Sequence, residues 1–141
     1  MEIINLLDFT NRIELRNWLK INHNQAKSGW VITSRSKQPT YECIPYIEVV
    51  EEALCFGWID STIKKLPDGR LAQRLSPRRK ISHWTELNKE RCMNLEDRGL
   101  MTDAGRQAFE RSYSYEIVPK GSLMEEIVRK HDKELRPDLY K

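Results

Sequence analysis

The stretch Trp58–Pro77 reads "WIDSTIKKLPDGRLAQRLSP" and consists of two β-prone segments on either side of a turn. In the tripeptide Pro67-Asp68-Gly69, proline presets φ, aspartate bonds its own backbone and glycine accepts a positive φ. The stretch therefore predicts an antiparallel β-hairpin.

A three-residue loop fixes the register and the faces of this hairpin. It pairs three sets of residues across the strands, namely Lys65 with Leu71, Ile63 with Gln73 and Ser61 with Leu75. Strand alternation then assigns four residues to the core: Ile59, Ile63, Leu71 and Leu75. The other face carries Trp58, Asp60, Thr62, Lys64, Arg70, Arg74 and Arg78. We expect Asp60 to form an ion pair there with Arg74 or Arg78.

The segments around the hairpin predict one more strand and four helices. Asn11 and Glu14 have the spacing of a capping box, and Thr85 and Thr102 precede two later helices as N-caps. The strand is 30–35, the helices are 11–23, 46–56, 86–98 and 103–112, and one further helix follows Ser122. The sequence thus predicts a single α+β domain over 1–141, with a small antiparallel sheet of about three strands, including the 58–77 hairpin, packed by helices.

Composition narrows the class of protein. Of the 141 residues 39% are hydrophobic and 32% charged, which is typical of a soluble globular chain. No apolar run is long enough for membrane insertion, and the N-terminus has no secretory signal, so we expect a cytoplasmic location. The three cysteines lack any metal-ligand spacing, and no motif indicates a cofactor, so we expect neither metal nor cofactor.

Basic residues are concentrated in one part of the chain. Residues 61–82 contain 7 Lys or Arg and 1 Asp or Glu, whereas residues 1–60 contain 6 and 8 and residues 83–141 contain 11 and 12. This local excess indicates an anion-binding surface, although a solvated hairpin whose lysines oppose edge pairing has the same composition.

The basic stretch ends in Pro77–Trp84, "PRRKISHW", just before a predicted helix start. Arginine forks and free backbone N–H groups at a helix start both suit an anion. In the hypothetical site Arg78 and Arg79 hold the anion and Asp60 orients the arginines. Strand alternation favours Arg78 as the ion-pair partner of Asp60, and Arg79 with Lys80 as the solvent-facing anion contacts. The full candidate set is Trp58, Asp60, Arg74, Arg78, Arg79, Lys80, Ser82, Trp84 and Asn88. The alternative is structural: Trp84 packs under the helix, Ser82 helps to cap it, and Arg78 pairs with Asp60.

Three ordered motifs resemble the YdeI/OmpD-associated (OmdA) family of bacterial proteins. They are "EEALCFGWIDS", "RLSPRRKISHWTELNKER" and "RGLMTDAGRQAF". The resemblance covers about residues 9–112, and residues 113–141 depart from the longer, helical C-terminal segment of that family.

The resemblance implies a small cytoplasmic protein, linked to bacteriocin or stress protection, that binds a partner without catalysis. Its ligand would be an anionic small molecule or another protein. Two alternatives stay open. One is a nucleic-acid-binding protein that uses the basic hairpin or the helix-turn-helix-like pair around "RGLMT", and the other is an enzyme acting on an anionic small molecule. No catalytic motif supports the enzyme.

Overall fold

The 58–77 hairpin forms one side of a five-stranded sheet in the computed structural model, which describes residues 2–79 and 84–111. Strand β4, Trp58–Lys65, and strand β5, Leu71–Pro77, run antiparallel. In the turn, Gly69 has a φ of 92°, and Asp68 accepts a hydrogen bond from the backbone N–H of Arg70 at 3.0 Å. The predicted turn chemistry is confirmed.

The rest of the sheet is larger than predicted and is mixed in direction. Strand β2, Gly29–Ser34, pairs antiparallel with β5. Strand β1, Leu6–Leu7, and strand β3, Ile44–Pro45, each pair parallel with β2. The three longer strands β2, β4 and β5 form the predicted antiparallel sheet. The two short parallel strands were missed, because two-residue strands are too short to produce a pattern of alternation.

All four helices lie where the pattern predicted them. They are α1, Arg12–Asn22; α2, Tyr46–Cys55; α3, Glu86–Asp97; and α4, Asp103–Arg111. Asn11 and Thr85 accept hydrogen bonds from the first-turn N–H groups of α1 and α3. Gly57 ends the α2 segment with a φ of 73°. The helix predicted after Ser122 lies outside the described residues.

The main core lies between the sheet and the helices. Its fully buried side chains include Leu15 and Leu19 of α1, Leu54 of α2 and Leu95 of α3. A smaller cluster of Trp30, Ile32 and Ala72 lies on the opposite side of the sheet and is covered by Ile3, Tyr41, Cys43 and Leu66. The residues that the structure describes therefore form one α+β domain whose sheet is covered on both faces.

A bulge in β4 corrects the predicted register. The register shifts between Asp60 and Ile63, so that Asp60, and not Ser61, lies opposite Leu75. The two pairs nearer the turn are as predicted: Lys65 with Leu71 and Ile63 with Gln73. An extra residue in one strand reverses which side chains face the core beyond it.

The bulge therefore reverses the predicted faces at the start of β4. Trp58 and Asp60 share the side of Leu75, and Trp58 is only 1% exposed within the main core. Ile59 consequently points to the other side of the sheet. Ile63 lies on the predicted side but at the sheet edge, where it is 38% exposed. The prediction of these two isoleucines as core residues was wrong.

Candidate anion-binding site

The centre of the candidate site is a hydrogen bond between helix α2 and strand β4. Tyr46, the first residue of α2, donates its hydroxyl to Oδ2 of Asp60 at 2.6 Å. The β4 bulge makes this contact available because it turns Asp60 toward the helices. Burial raises the pKa of Tyr46, and the hydrogen bond to Asp60 raises it further, so the phenol stays protonated as a donor.

One arginine contacts this pair, and two more act on it electrostatically. The guanidinium of Arg35 lies over the Tyr46 ring, 4.2 Å from its centroid. The charges of Arg35 and Arg91 lower the pKa of Tyr46 and partly offset its rise. The charge of Asp60 raises the pKa of Arg78 and partly offsets the fall caused by burial. We refer to the group as the Asp60 site, defined by Arg35, Tyr46, Asp60, Arg78, Trp84 and Arg91.

Arg78 is the most buried cation of the site. Its residue is 8% exposed, and its guanidinium carbon lies 3.7 Å from the centroid of the Trp84 ring. Trp84 in turn packs edge-on against Phe109 of α4, with ring centroids 6.2 Å apart. Burial lowers the pKa of Arg78 to about 10, so the group remains charged at neutral pH. A cation held out of water attracts an anion more strongly than a solvated one, because the local dielectric is lower.

Helix α3 supplies the third arginine. Oδ1 of Asn88 accepts a hydrogen bond at 3.0 Å from Nη1 of Arg91, three residues along the same face. The backbone N–H of Asn88 donates to the Thr85 cap at 3.2 Å, which ties this residue to the helix start. Asn88 therefore orients Arg91 by holding one of its donors.

The Asp60 site has more positive than negative charge. Other arginines of the described chain are neutralised by carboxylates: Arg12, Arg16 and Arg98 contact Glu51 or Glu52, Arg70 contacts Asp8 and Asp68, and Arg106 contacts Glu96 and Asp103. Arg35 and Arg91 form no ion pair with any residue of 2–79 or 84–111. Arg35 and Arg91 therefore add positive charge beside Asp60 that no described carboxylate pairs with, and this charge favours an anion.

The predicted site residues do not form a single cluster. Asp60, Arg78, Trp84 and Asn88 lie in or beside the Asp60 site. Trp58 lies in the core and donates its indole N–H to the carbonyl of His23 at 3.1 Å. Arg79 is exposed next to Arg78, whereas Lys80 and Ser82 lie outside the described residues.

Arg74 is not near Asp60. It pairs with Trp30 across the strands, and therefore faces the opposite side of the sheet, where it reaches the Ser61 hydroxyl at 3.5 Å. The predicted Asp60–Arg74 ion pair is absent because the bulge separates the two faces. Arg78 follows the end of β5, and the charge of Asp60 raises its pKa, which opposes the larger lowering by burial.

Three residues of the Asp60 site were not predicted. Arg91 follows Asn88 by three residues, and helical spacing was a usable signal for it. Tyr46 reads as an ordinary aromatic at a helix start, and Arg35 as part of a polar turn. Only the pairing of β3 with β2, Ser34 opposite Pro45, brings these two segments together.

Within residues 2–79 and 84–111, no group of three or more His, Cys, Asp or Glu side chains is placed to hold a metal ion. No helix of that part of the chain has the length and apolar character needed to cross a bilayer.

No curated protein and no solved structure matches the chain. One family model matches residues 7–108, a range that contains the whole Asp60 site, and the chain therefore belongs to the family described as Domain of unknown function (DUF8412).

Proposed function

We propose that this protein binds a small anion at the Asp60 site without catalysis. The observation that supports this best is Arg78, a charged side chain that is 8% exposed and lies over Trp84. Burying a cation costs free energy, and a site that receives an anion recovers part of that cost. The proposal retains the resemblance to the YdeI/OmpD-associated family, and with it a role in bacteriocin or stress protection in the bacterial cytoplasm.

The geometry suits a phosphate or carboxylate group. The guanidinium carbons of Arg35 and Arg78 lie over aromatic rings, 4.2 Å and 3.7 Å from the ring centroids, and such contacts restrict the motion of the two side chains. Arg91 adds a third fork, steadied by Asn88. Arginine forks fixed in this way lose little side-chain entropy when they bind, which favours bidentate recognition.

A small ligand fits better than a nucleic acid. Phosphates of a nucleic-acid backbone contact exposed cations, whereas Arg78 is nearly excluded from solvent. In α4, the second helix of the helix-turn-helix-like pair, Arg106 is bound to Glu96 and to Asp103. We therefore prefer a small anion to nucleic acid as the ligand. We also prefer it to an enzyme substrate, since no catalytic motif in the sequence supports an enzyme.

Calorimetric titration tests the proposal. The probes are inorganic phosphate, sugar phosphates, nucleotides and a DNA duplex, each over a salt series, and we expect the small anions to bind and the duplex to show no steep salt dependence. Arg91→Gln should weaken phosphate binding about tenfold, because it removes a charge-assisted hydrogen bond. Arg70→Gln is the matched control, since Arg70 lies by the hairpin turn and contacts Asp8 and Asp68.

Two results would contradict the proposal. One is that none of the small anions binds. The other is that Arg70→Gln weakens binding as much as Arg91→Gln does, which would indicate general charge attraction and not a site.

A further inference from the structure

Gln73 is a buried polar side chain with one unused acceptor. The residue is fully buried on β5, and its amide Nε2 donates to the carbonyls of Thr62 at 3.3 Å and Arg74 at 3.1 Å. Both partners are carbonyl oxygens, so the amide nitrogen must face them and the orientation of the group is fixed. Its Oε1 has no hydrogen-bond partner in the part of the chain that the structure describes. Buried amide oxygens are normally satisfied, so this one calls for a partner.

The register places Gln73 beside the Asp60 site. Gln73 lies opposite Ile63, and the next residue on that side of β5, Leu75, lies opposite Asp60. Gln73 and Asp60 are thus diagonal neighbours on the helix-facing side of the sheet, about 7 Å apart. Ile63, opposite Gln73 at the sheet edge, is 38% exposed.

The hydrogen-bond donors and acceptors of this region belong to different groups of residues. Arg35, Arg78 and Arg91 offer only donors, whereas Gln73 offers an acceptor that no described donor reaches. Asp60 adds a second acceptor, since Tyr46 occupies only its Oδ2. A ligand that satisfies both groups has an acidic group for the arginines and hydrogen-bond donors for Gln73 and Asp60.

We infer that the ligand is a small hydroxylated anion, of the class of polyol phosphates or hydroxy acids, whose hydroxyl groups donate to Asp60 and Gln73. This inference rests on the proposed function and specifies its ligand. Simple anions such as inorganic phosphate would occupy the arginines and leave the two acceptors without donors.

Matched pairs of ligands test the inference on the unmodified protein. Glycerol 3-phosphate and propyl phosphate differ only in two hydroxyls, and D-glycerate and propionate provide the same comparison for a carboxylate. Two hydrogen bonds, one to half-buried Asp60 and one to buried Gln73, should make the hydroxylated member of the preferred pair bind roughly tenfold more tightly. The pair with the larger ratio identifies the acidic group.

A variant then tests the role of Gln73. Gln73→Met should reduce the affinity ratio within the preferred pair from about tenfold to about threefold, because Asp60 still accepts one hydroxyl. Tyr41→Phe, on the other side of the sheet, should leave the ratio unchanged. The ratio does not depend on how much either variant destabilises the fold. If Gln73→Met does not fold, the ligand pairs alone decide.

The outcomes separate the two proposals. Equal affinities within both pairs overturn the hydroxylated ligand but leave the anion site intact. An undiminished ratio in Gln73→Met overturns the role of Gln73 and indicates that an ordered water satisfies its oxygen. Failure of all four ligands and of inorganic phosphate to bind overturns the proposed function itself.

Discussion

Removal of the Tyr46 hydroxyl tests the central contact of the Asp60 site. The hydrogen bond of 2.6 Å from this hydroxyl to the Asp60 carboxylate is short. Hydrogen bonds to charged groups contribute about 1.5–3 kcal/mol, and we take the lower value because both residues are only half-buried. Tyr46→Phe should therefore lower the free energy of unfolding by about 1.5 kcal/mol, which corresponds to a fall of about 6 °C in Tm for a domain of this size.

A double-mutant cycle separates the hydrogen bond from other effects of the change. Urea unfolding is measured for Tyr46→Phe, Asp60→Ala and the double variant. Because the two groups contact each other, we expect a coupling energy of about 1 kcal/mol between them.

The matched control uses a tyrosine on the opposite side of the sheet. The Tyr41 hydroxyl donates to the carbonyl of Thr33 at 2.7 Å and belongs to the smaller hydrophobic cluster. Tyr41→Phe and Asp60→Ala should be additive within about 0.5 kcal/mol. A coupling for Tyr46 no larger than that for Tyr41 would refute the contact on which the Asp60 site is built.

Four further predictions concern the core and its titration. Gly105→Ala should lower the free energy of unfolding by about 2 kcal/mol in urea, because a Cβ there would clash with the Cys55 carbonyl and outweigh the helix propensity gained. Native protein should expose one thiol to Ellman's reagent, that of half-buried Cys43, since Cys55 and Cys92 are buried with pKa values raised to about 11 and about 12. These two thiols keep their protons in the folded state, while the unfolded chain loses them from about pH 9. The free energy of unfolding should therefore fall between pH 8 and pH 10 by about 1 kcal/mol per thiol, and it should depend less on pH when both cysteines are replaced by alanine. Glu52→Gln should cost about 3 kcal/mol in thermal or urea unfolding, because this 1% exposed carboxylate balances two arginines of α1; an unchanged stability would mean that the pair is solvated.

Local chemistry explains which parts of the fold could be predicted from sequence. The hairpin turn and the caps at Asn11 and Thr85 depend on residues within four positions of one another, and all were predicted correctly. Strands β1 and β3 depend instead on parallel pairing with β2, a contact between distant segments. Two-residue strands contain too little sequence to indicate such pairing.

The candidate site was only partly predictable for the same reason. Arg78 and Trp84 are close in sequence, and their proximity was anticipated from one motif. Arg35 and Tyr46 come from segments on either side of β3 and meet only in the folded sheet. The Asp60–Arg74 pair failed because a bulge adds one residue to a strand whose alternating pattern otherwise looks regular.

The bulge in β4 absorbs one residue that a regular strand would not hold. Ser61 and Thr62 together occupy a single position of the pairing with β5, and both are exposed, so a deletion of either would cost little packing. Such a deletion would remove the bulge and leave Asp60 opposite Leu75, on the same side of the sheet as before. A regular strand of the present length would instead turn Asp60 away from Tyr46. When relatives of this chain are aligned, a one-residue gap between positions 60 and 63 would therefore be compatible with the Asp60 site wherever the aspartate and the tyrosine are retained.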